Sequence, residues 1–396
     1  MKRILLPCLF LILSVLACSL PGQTAEPPVV TEPPVVTEPP SEEPPILIEP
    51  PLPTVAIPSG FMVTAGTGNI SFYSPDGGLT GSIPIPGAGA SFLHATGGTS
   101  SGLPTVIYFD WRTTAQVFEN TAGVETVLFS NPEFNRMKGA DGSTYFAYTT
   151  VGYADAGIRT KLFVGTPGTI AASSPVIDEV VADFQGLKPL ALRMEGGAAT
   201  GVWYTGCMYG IGGDLVFDPC NRVNYVDLAT GVRTELVGDG YNPSTLSPDQ
   251  TWVAYARPGG GEPLTILNLV TGENHTFPAW TSNDRGSGDG VFSPDSMHVA
   301  WMEGSGFRMD TPFTFRSMLR VGTTSGTVLG DFPAEYFSPA AGFDVVWAGP
   351  VGWLDADSIL VQVNDESGSR GAVLRLDLPG TVLLLANGNF AGLTYP

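Results

Sequence analysis

Leu246-Ser247-Pro248-Asp249 runs, two residues later, into Trp252-Val253-Ala254-Tyr255-Ala256. Phe292-Ser293-Pro294-Asp295 runs in the same way into His298-Val299-Ala300-Trp301-Met302. Each is a polar turn feeding a short apolar strand. Pro presets φ for the turn, and Asp bonds back to the backbone. A second pattern follows the first: Ile266-Leu267-Asn268-Leu269-Val270-Thr271-Gly272-Glu273, matched upstream by Tyr225-Val226-Asp227-Leu228-Ala229-Thr230-Gly231-Val232. This is again strand, Gly turn, strand. Such self-similarity marks a repeat architecture.

The Gly turn can be followed through residues 59–396, at Gly77, Gly123, Gly168, Gly231, Gly272, Gly326 and Gly380. The mean spacing is about 50 residues, and propeller repeats run about 40–50. The paired motifs resemble the repeats of TolB-type, WD-like β-propellers. There the S-P-D turn joins the first and second strands of a blade, and the D-x-x-T-G turn joins the third and fourth. The resemblance implies an all-β fold, a β-propeller of seven blades, with six or eight as the alternative registers. Phe61–Ala65, Ile70–Tyr73 and Leu79–Ile85 would be the second, third and fourth strands of unit one, which lacks an innermost strand. Phe390-Ala391-Gly392-Leu393-Thr394-Tyr395 follows the last unit and is expected to supply it, closing the ring and removing an open sheet edge. Val176–Phe184 fits a helix and a strand equally well.

Composition agrees with this reading. Charged residues are 14% of the 396, and Gly plus Pro are 85. Ordinary domains carry about 25% charged residues, so helical bundles and doubly wound enzymes are disfavoured. The net charge of −20 repels phosphate backbones, so no nucleic-acid partner is expected.

The first residues read as an export address. Lys2 and Arg3 precede an apolar run that ends in Val15-Leu16-Ala17-Cys18, which resembles the lipobox of bacterial lipoproteins. That implies a signal peptide at 1–17, lipidation of Cys18 and anchoring to the outer face of a bacterial membrane. Residues 18–58 then read as a spacer. Thirteen of residues 19–58 are Pro, six are Glu, none is aromatic, and Glu-Pro-Pro-Val-Val-Thr occurs twice in tandem. Such a segment favours solvated polyproline II. The propeller would occupy 59–396.

Of the remaining cysteines, Cys207 and Cys220 flank a Gly-rich loop between the predicted second and third strands of unit four. A disulfide, two free thiols and metal ligation are the options, and an exported setting permits the first. In the propeller fold, second-to-third loops and interblade connections share one face. The long segments 151–160, 171–189, 210–220, 280–290, 303–317, 331–351 and 364–371 are assigned mostly to that face. A ring of long loops about a channel makes a natural binding site. Its candidate contacts are Trp280, Asp284, Arg285, Phe307, Arg308, Asp310, Phe313, Phe315 and Arg316, because aromatic and Arg side chains anchor interfaces.

Catalytic signatures are weak. Gly98-Thr99-Ser100-Ser101-Gly102 matches G-x-S-x-G but lies between strand patterns, whereas the hydrolase elbow needs a following helix. Asp355-Ala356-Asp357-Ser358, Asn364-Asp365-Glu366 and Asn283–Asp289 offer oxygens to Ca²⁺ without EF-hand spacing. No cofactor is expected. The expected function is a monomeric, membrane-anchored extracytoplasmic binding or scaffold protein with a protein, peptide or glycan partner. The alternative is a glycan hydrolase or lyase of propeller form, with Asp289, Asp310 and Asp344 as candidate acids.

Overall fold

The computed structural model describes residues 56–64, 68–85, 90–98, 102–110, 115–181, 185–209, 216–238, 242–257, 260–307 and 313–396. Cys18 and the 1–55 region lie outside them, as do Arg308 and Asp310. The described chain forms seven four-stranded antiparallel sheets, each a blade of a β-propeller. The innermost strands, in blade order, are Asn389–Thr394, Ala90–Gly98, Phe134–Gly139, Gln185–Glu195, Asn242–Leu246, Ser287–Phe292 and Trp347–Trp353. Each touches the inner strand of the next blade, and the last touches the first, so a closed ring surrounds a central channel.

Closure is made by the tail. Gly60–Thr64 pairs antiparallel with Asn389–Thr394, placing Phe61 opposite Leu393. The Ser59 amide donates to the Thr394 carbonyl at 2.8 Å. Blade 1 thus takes its inner strand from the chain end and its other three from the chain start.

All seven turn glycines fall between the third and fourth strands of their blades. Six of them have positive φ, from 71° at Gly231 to 159° at Gly380. The first turns are built as their residues suggest. The Ser247 hydroxyl donates to Asp249 and accepts from the Trp252 amide at 2.9 Å, and Ser293, Asp295 and His298 repeat the pattern. Gln250 and Ser296 stand at the left-handed position of these turns, both at φ 60°. Gln250 is held there by its side chain, which accepts from Trp203 Nε1 and donates to the Leu192 carbonyl, both at 2.8 Å.

Second strands are buried on both faces, as in Pro104–Asp110 and Ser358–Asn364, whereas third strands such as Gly157–Gly165 alternate buried with half-buried or exposed residues. Fourth strands are largely exposed, as in Arg233–Val237 and Thr381–Asn387. Blade faces pack on each other. Ala300, Leu319 and Val321 of blade 6 join Trp353, Ile359 and Val361 of blade 7 in one core. Phe109 of blade 2 stacks on Phe134 of blade 3 at 4.0 Å between centroids. The ambiguous Val176–Phe184 contains a strand, Ile177–Val181, the outer edge of blade 3.

Two of the predicted long loops differ from expectation. Residues 151–160 are mostly strand, because Phe146–Ala154 and Gly157–Gly165 form one extended hairpin. Residues 166–176, with the 3-10 turn Ile170–Ala172, join a third strand to a fourth. That long connection therefore lies on the opposite face from the one assigned to 171–189. The connections 277–286, 306–315, 334–346 and 365–370 do lie on the expected face.

Candidate functional site in the central channel

Every inner strand carries a register shift against its blade's second strand. Such bulges re-aim side chains next to functional sites. Here they sit around the whole channel.

At the C-terminal ends of the inner strands the channel widens into a cavity of about 820 Å³. All seven blades contribute to it. Met137, Ala191, Val291, Val351 and Leu393 form much of its apolar wall, and Lys138, Asp141, Ser143 and Gln250 supply polar groups. This end carries the short first-to-second turns. Sequence reasoning had looked to the long-loop face, so the cavity lies at the other end of the channel.

The cavity rim is locked across three blades. His94 of blade 2 is buried and pairs through Nε2 with the Ser143 carbonyl of blade 3 at 3.0 Å. Its imidazole lies over Gly139, where a Cβ would sit 1.9 Å from Nδ1. Burial lowers its pKa, which favours the neutral ring. Tyr395 of the closing strand is buried too. Burial, then the charge of its hydrogen-bond partner Asp141, pushes its hydroxyl pKa upward. Ala56 and Pro58, where the chain enters the ring, also line the cavity.

The opposite end holds charge. Cys207 and Cys220 face each other on neighbouring strands of blade 4 and form a disulfide, with Cα atoms 3.9 Å apart. It clamps the base of the 209–219 connection. From this loop Asp218 reaches back to the ring, where one oxygen, Oδ2, accepts from Arg136 Nη2 of blade 3 and Lys188 Nζ of blade 4, both at 3.1 Å. Burial raises the Asp218 pKa, but Lys188 and Arg136 outweigh it and hold the carboxyl below its usual range. Phe217 packs on Gly288 of blade 6. Phe217 and Asp218 thus contact the inner strands of blades 3, 4 and 6.

Asp289 follows Gly288, in a bulge with φ 50°. Its side chain meets water yet is ringed by protein. Desolvation raises its pKa to about 6, with Lys188 opposing and Asp218 adding to the shift. Lys188 is on blade 4 and Asp289 on blade 6, so the two feel each other across the channel. Asp344, by contrast, is exposed in the connection between blades 6 and 7.

The predicted loop contacts gather on blade 6. One of them, Trp280, is tied to the fully buried Glu303. That carboxylate accepts from Trp301 Nε1 at 3.0 Å, Arg320 at 2.8 Å, Asn283 Nδ2 at 3.0 Å and the Trp280 amide at 2.7 Å. Asp284 accepts from the Gly306 amide at 2.8 Å, and Arg285 lies 4.6 Å from the Phe307 ring centroid. Phe315 is 1% exposed and belongs to the core. Asp284, Phe307 and Arg316 face solvent, while Trp280, Arg285 and Phe313 are half-buried. The Asp-rich turns are internally bonded. Asp355 accepts from the Asp357 amide, and Asp365 from Ser367 and the Ser369 amide. Of the G-x-S-x-G match, Gly98 ends the strand Ala90–Gly98 and Gly102 lies just before the strand Pro104–Asp110.

No protein-family model and no curated protein matches the chain. Solved structures do. The chain is a seven-bladed β-propeller with TolB-type neighbours. TolB from Acinetobacter baumannii aligns over 85% of this chain and 80% of its own, at 12% identity and TM-score 0.39. An oligogalacturonate lyase from Vibrio parahaemolyticus aligns over 82% and 91%, at 10% identity and TM-score 0.50. Kuenenia stuttgartiensis hydrazine synthase aligns over 83% and 98%, at 11% identity and TM-score 0.46. At 10% identity the likeness to the lyase bears on fold alone, and function has to be argued from the site.

Proposed function

We propose that this chain is an exported binding protein of the bacterial cell envelope, fixed to a membrane by a lipid on Cys18 and carried on the 18–58 spacer. Its propeller binds a peptide, protein or glycan partner at the channel. The observation that carries this reading is the cavity of about 820 Å³ walled by all seven blades. Ligand sites are typically concave, mostly apolar and dotted with a few polar groups. The exposed loop residues Asp284, Phe307 and Arg316 offer a second contact patch on the other face.

The test is a binding screen of the mature chain against peptide and glycan panels, repeated with Ala191→Trp, which fills the cavity wall. Loss of the strongest binders in the variant supports the channel. Retention of every binder excludes it. The mass of the mature amino terminus, read separately, reports lipidation of Cys18.

A second reading, glycan cleavage in the same channel, draws on Asp289, whose pKa of about 6 suits an acid–base group near neutrality. Release of reducing or unsaturated ends from a glycan panel by wild type and not by Asp289→Asn would favour it over simple binding.

A further inference from the structure

The cavity wall has most of its polar side chains tied to the protein itself. Gln250 bridges Trp203 and the Leu192 carbonyl, and Trp353 Nε1 donates to the Val291 carbonyl at 3.0 Å. Ser247 is held by Asp249 and the Trp252 amide. His94 is paired with the Ser143 carbonyl, and Asp141 with the Tyr395 hydroxyl. Lys138 is the exception. It lines the cavity, it is exposed, and its ammonium makes no hydrogen bond or ion pair with any described residue. We propose that the cavity is a site for an aliphatic carboxylic acid, whose chain lies along the apolar wall and whose carboxylate pairs with Lys138. This rests on the channel reading and adds a small-molecule occupant to it.

Position supports the assignment. Lys138 is the next-to-last residue of Phe134–Gly139, opposite Ala147, at the end where the channel widens. Leu190, Ala191, Val291, Val351 and Leu393, from four other blades, make the wall around it aliphatic. Of the aromatic rings that border the cavity, Phe292, Trp353 and Tyr395 are buried and Phe390 is half-buried. Little ring face is therefore open for a sugar to stack on. The volume, about 820 Å³, lies in the usual range for small-molecule sites.

The chemistry of the occupant follows from what the wall leaves uncommitted. A glycan brings many hydroxyls, and a peptide brings backbone N–H and C=O groups; each needs a partner when it leaves water. This wall has few to give. An aliphatic acid brings one ionic group, and the rest of it gains from burial of apolar surface. Its carboxylate meets an ammonium that is a compact point charge on a flexible stem. The sign is specific, because the chain has 18 basic residues against 38 acidic and the cavity's carboxylate, Asp141, already accepts from Tyr395.

The test is calorimetric titration of the mature chain with octanoate, octanol, octylamine and acetate. Octanoate is expected to bind about tenfold more tightly than octanol, the size of one charge-assisted contact, with no measurable binding of octylamine or acetate. Lys138→Gln is expected to lower octanoate to the octanol affinity and to leave octanol unchanged, while Lys138→Arg keeps the preference. Ala191→Trp is expected to remove both ligands, and melting curves check that each variant folds. The Lys138 variants decide the assignment whether or not Ala191→Trp folds. Equal octanoate affinity in wild type and Lys138→Gln overturns it. So does octanol, octylamine or acetate matching octanoate in wild type, or octanoate binding that survives in folded Ala191→Trp. Absence of octanoate binding, beside panel binders that Ala191→Trp abolishes, overturns the aliphatic acid and leaves the channel reading standing.

Discussion

The ring of Phe217 occupies the space that a side chain on Gly288 would need: a Cβ there would fall 2.3 Å from its Cδ1. One residue of a disulfide-clamped loop on blade 4 is thereby seated on the inner strand of blade 6. Gly288→Ala is expected to unseat Phe217, at a cost of about 1–3 kcal/mol for the overpacked contact. Limited proteolysis should then cut within 209–219 faster than in wild type. Unchanged cleavage would mean that the loop does not depend on this seat.

The disulfide has its own expected effect. Cys207 and Cys220 are 13 residues apart, and closing such a loop contributes about 3 kcal/mol in the chain-entropy model. Replacing both by Ala should lower urea stability by up to that amount. Non-reducing alkylation of wild type should add no label at either position.

Tail closure predicts a large loss on truncation. Removing residues 389–396 strips blade 1 of its inner strand and exposes Phe61, Met62 and Val63, which are wholly buried. A fall of about 10 °C or more in melting temperature is expected. An unchanged melt contradicts closure by this strand.

Glu303 anchors blade 6. It is fully buried and holds Trp301, Arg320, Asn283 and the Trp280 amide. Glu303→Ala removes one of the two carboxylates on the buried Arg320 guanidinium, Asp331 remaining at 2.7 Å. The cost is therefore expected at or below the low end of the ~3–5 kcal/mol for breaking a buried pair. Denaturant unfolding measures it, and faster hydrogen exchange across 277–286 should accompany it.

Asp289 predicts a pH signature. Its folded pKa, about 6, lies above the ordinary aspartate value of about 4, so between these values the native state holds the proton more tightly than the unfolded chain. The stability contribution is therefore present below pH 4 and is lost as pH rises through 6. Subtracting the melting profile of Asp289→Asn from that of wild type should leave a difference that falls from pH 4 to pH 6.5. A flat difference would place Asp289 in bulk water.

The blade plan was legible because turn chemistry repeats locally. Gly231 and Gly272 mark their turns in one line of sequence, and the tail strand 390–395 had no unit of its own to join. The disulfide between Cys207 and Cys220 was one of three options in the sequence, and the pairing of their strands selects it. The cavity was not legible, because it depends on where seven distant strands place Met137, Ala191, Val291 and Val351 about one axis. Phe315 reads as a loop aromatic yet packs into the core, since nothing in an isolated loop sequence reports burial. The Arg136–Asp218–Lys188 cluster left one faint sign: Arg136 and Lys138 alternate on one strand of a base-poor chain, and that strand turned out to be innermost.

The most direct test of ligand binding in the channel is photo-crosslinking in living cells. A photoreactive residue at Val351, on the cavity wall, is compared with one at Tyr153, which is 83% exposed. A discrete adduct at Val351, absent at Tyr153 and absent when Ala191→Trp fills the cavity, is the predicted result. No adduct at Val351, or the same adducts from both positions, would contradict the account.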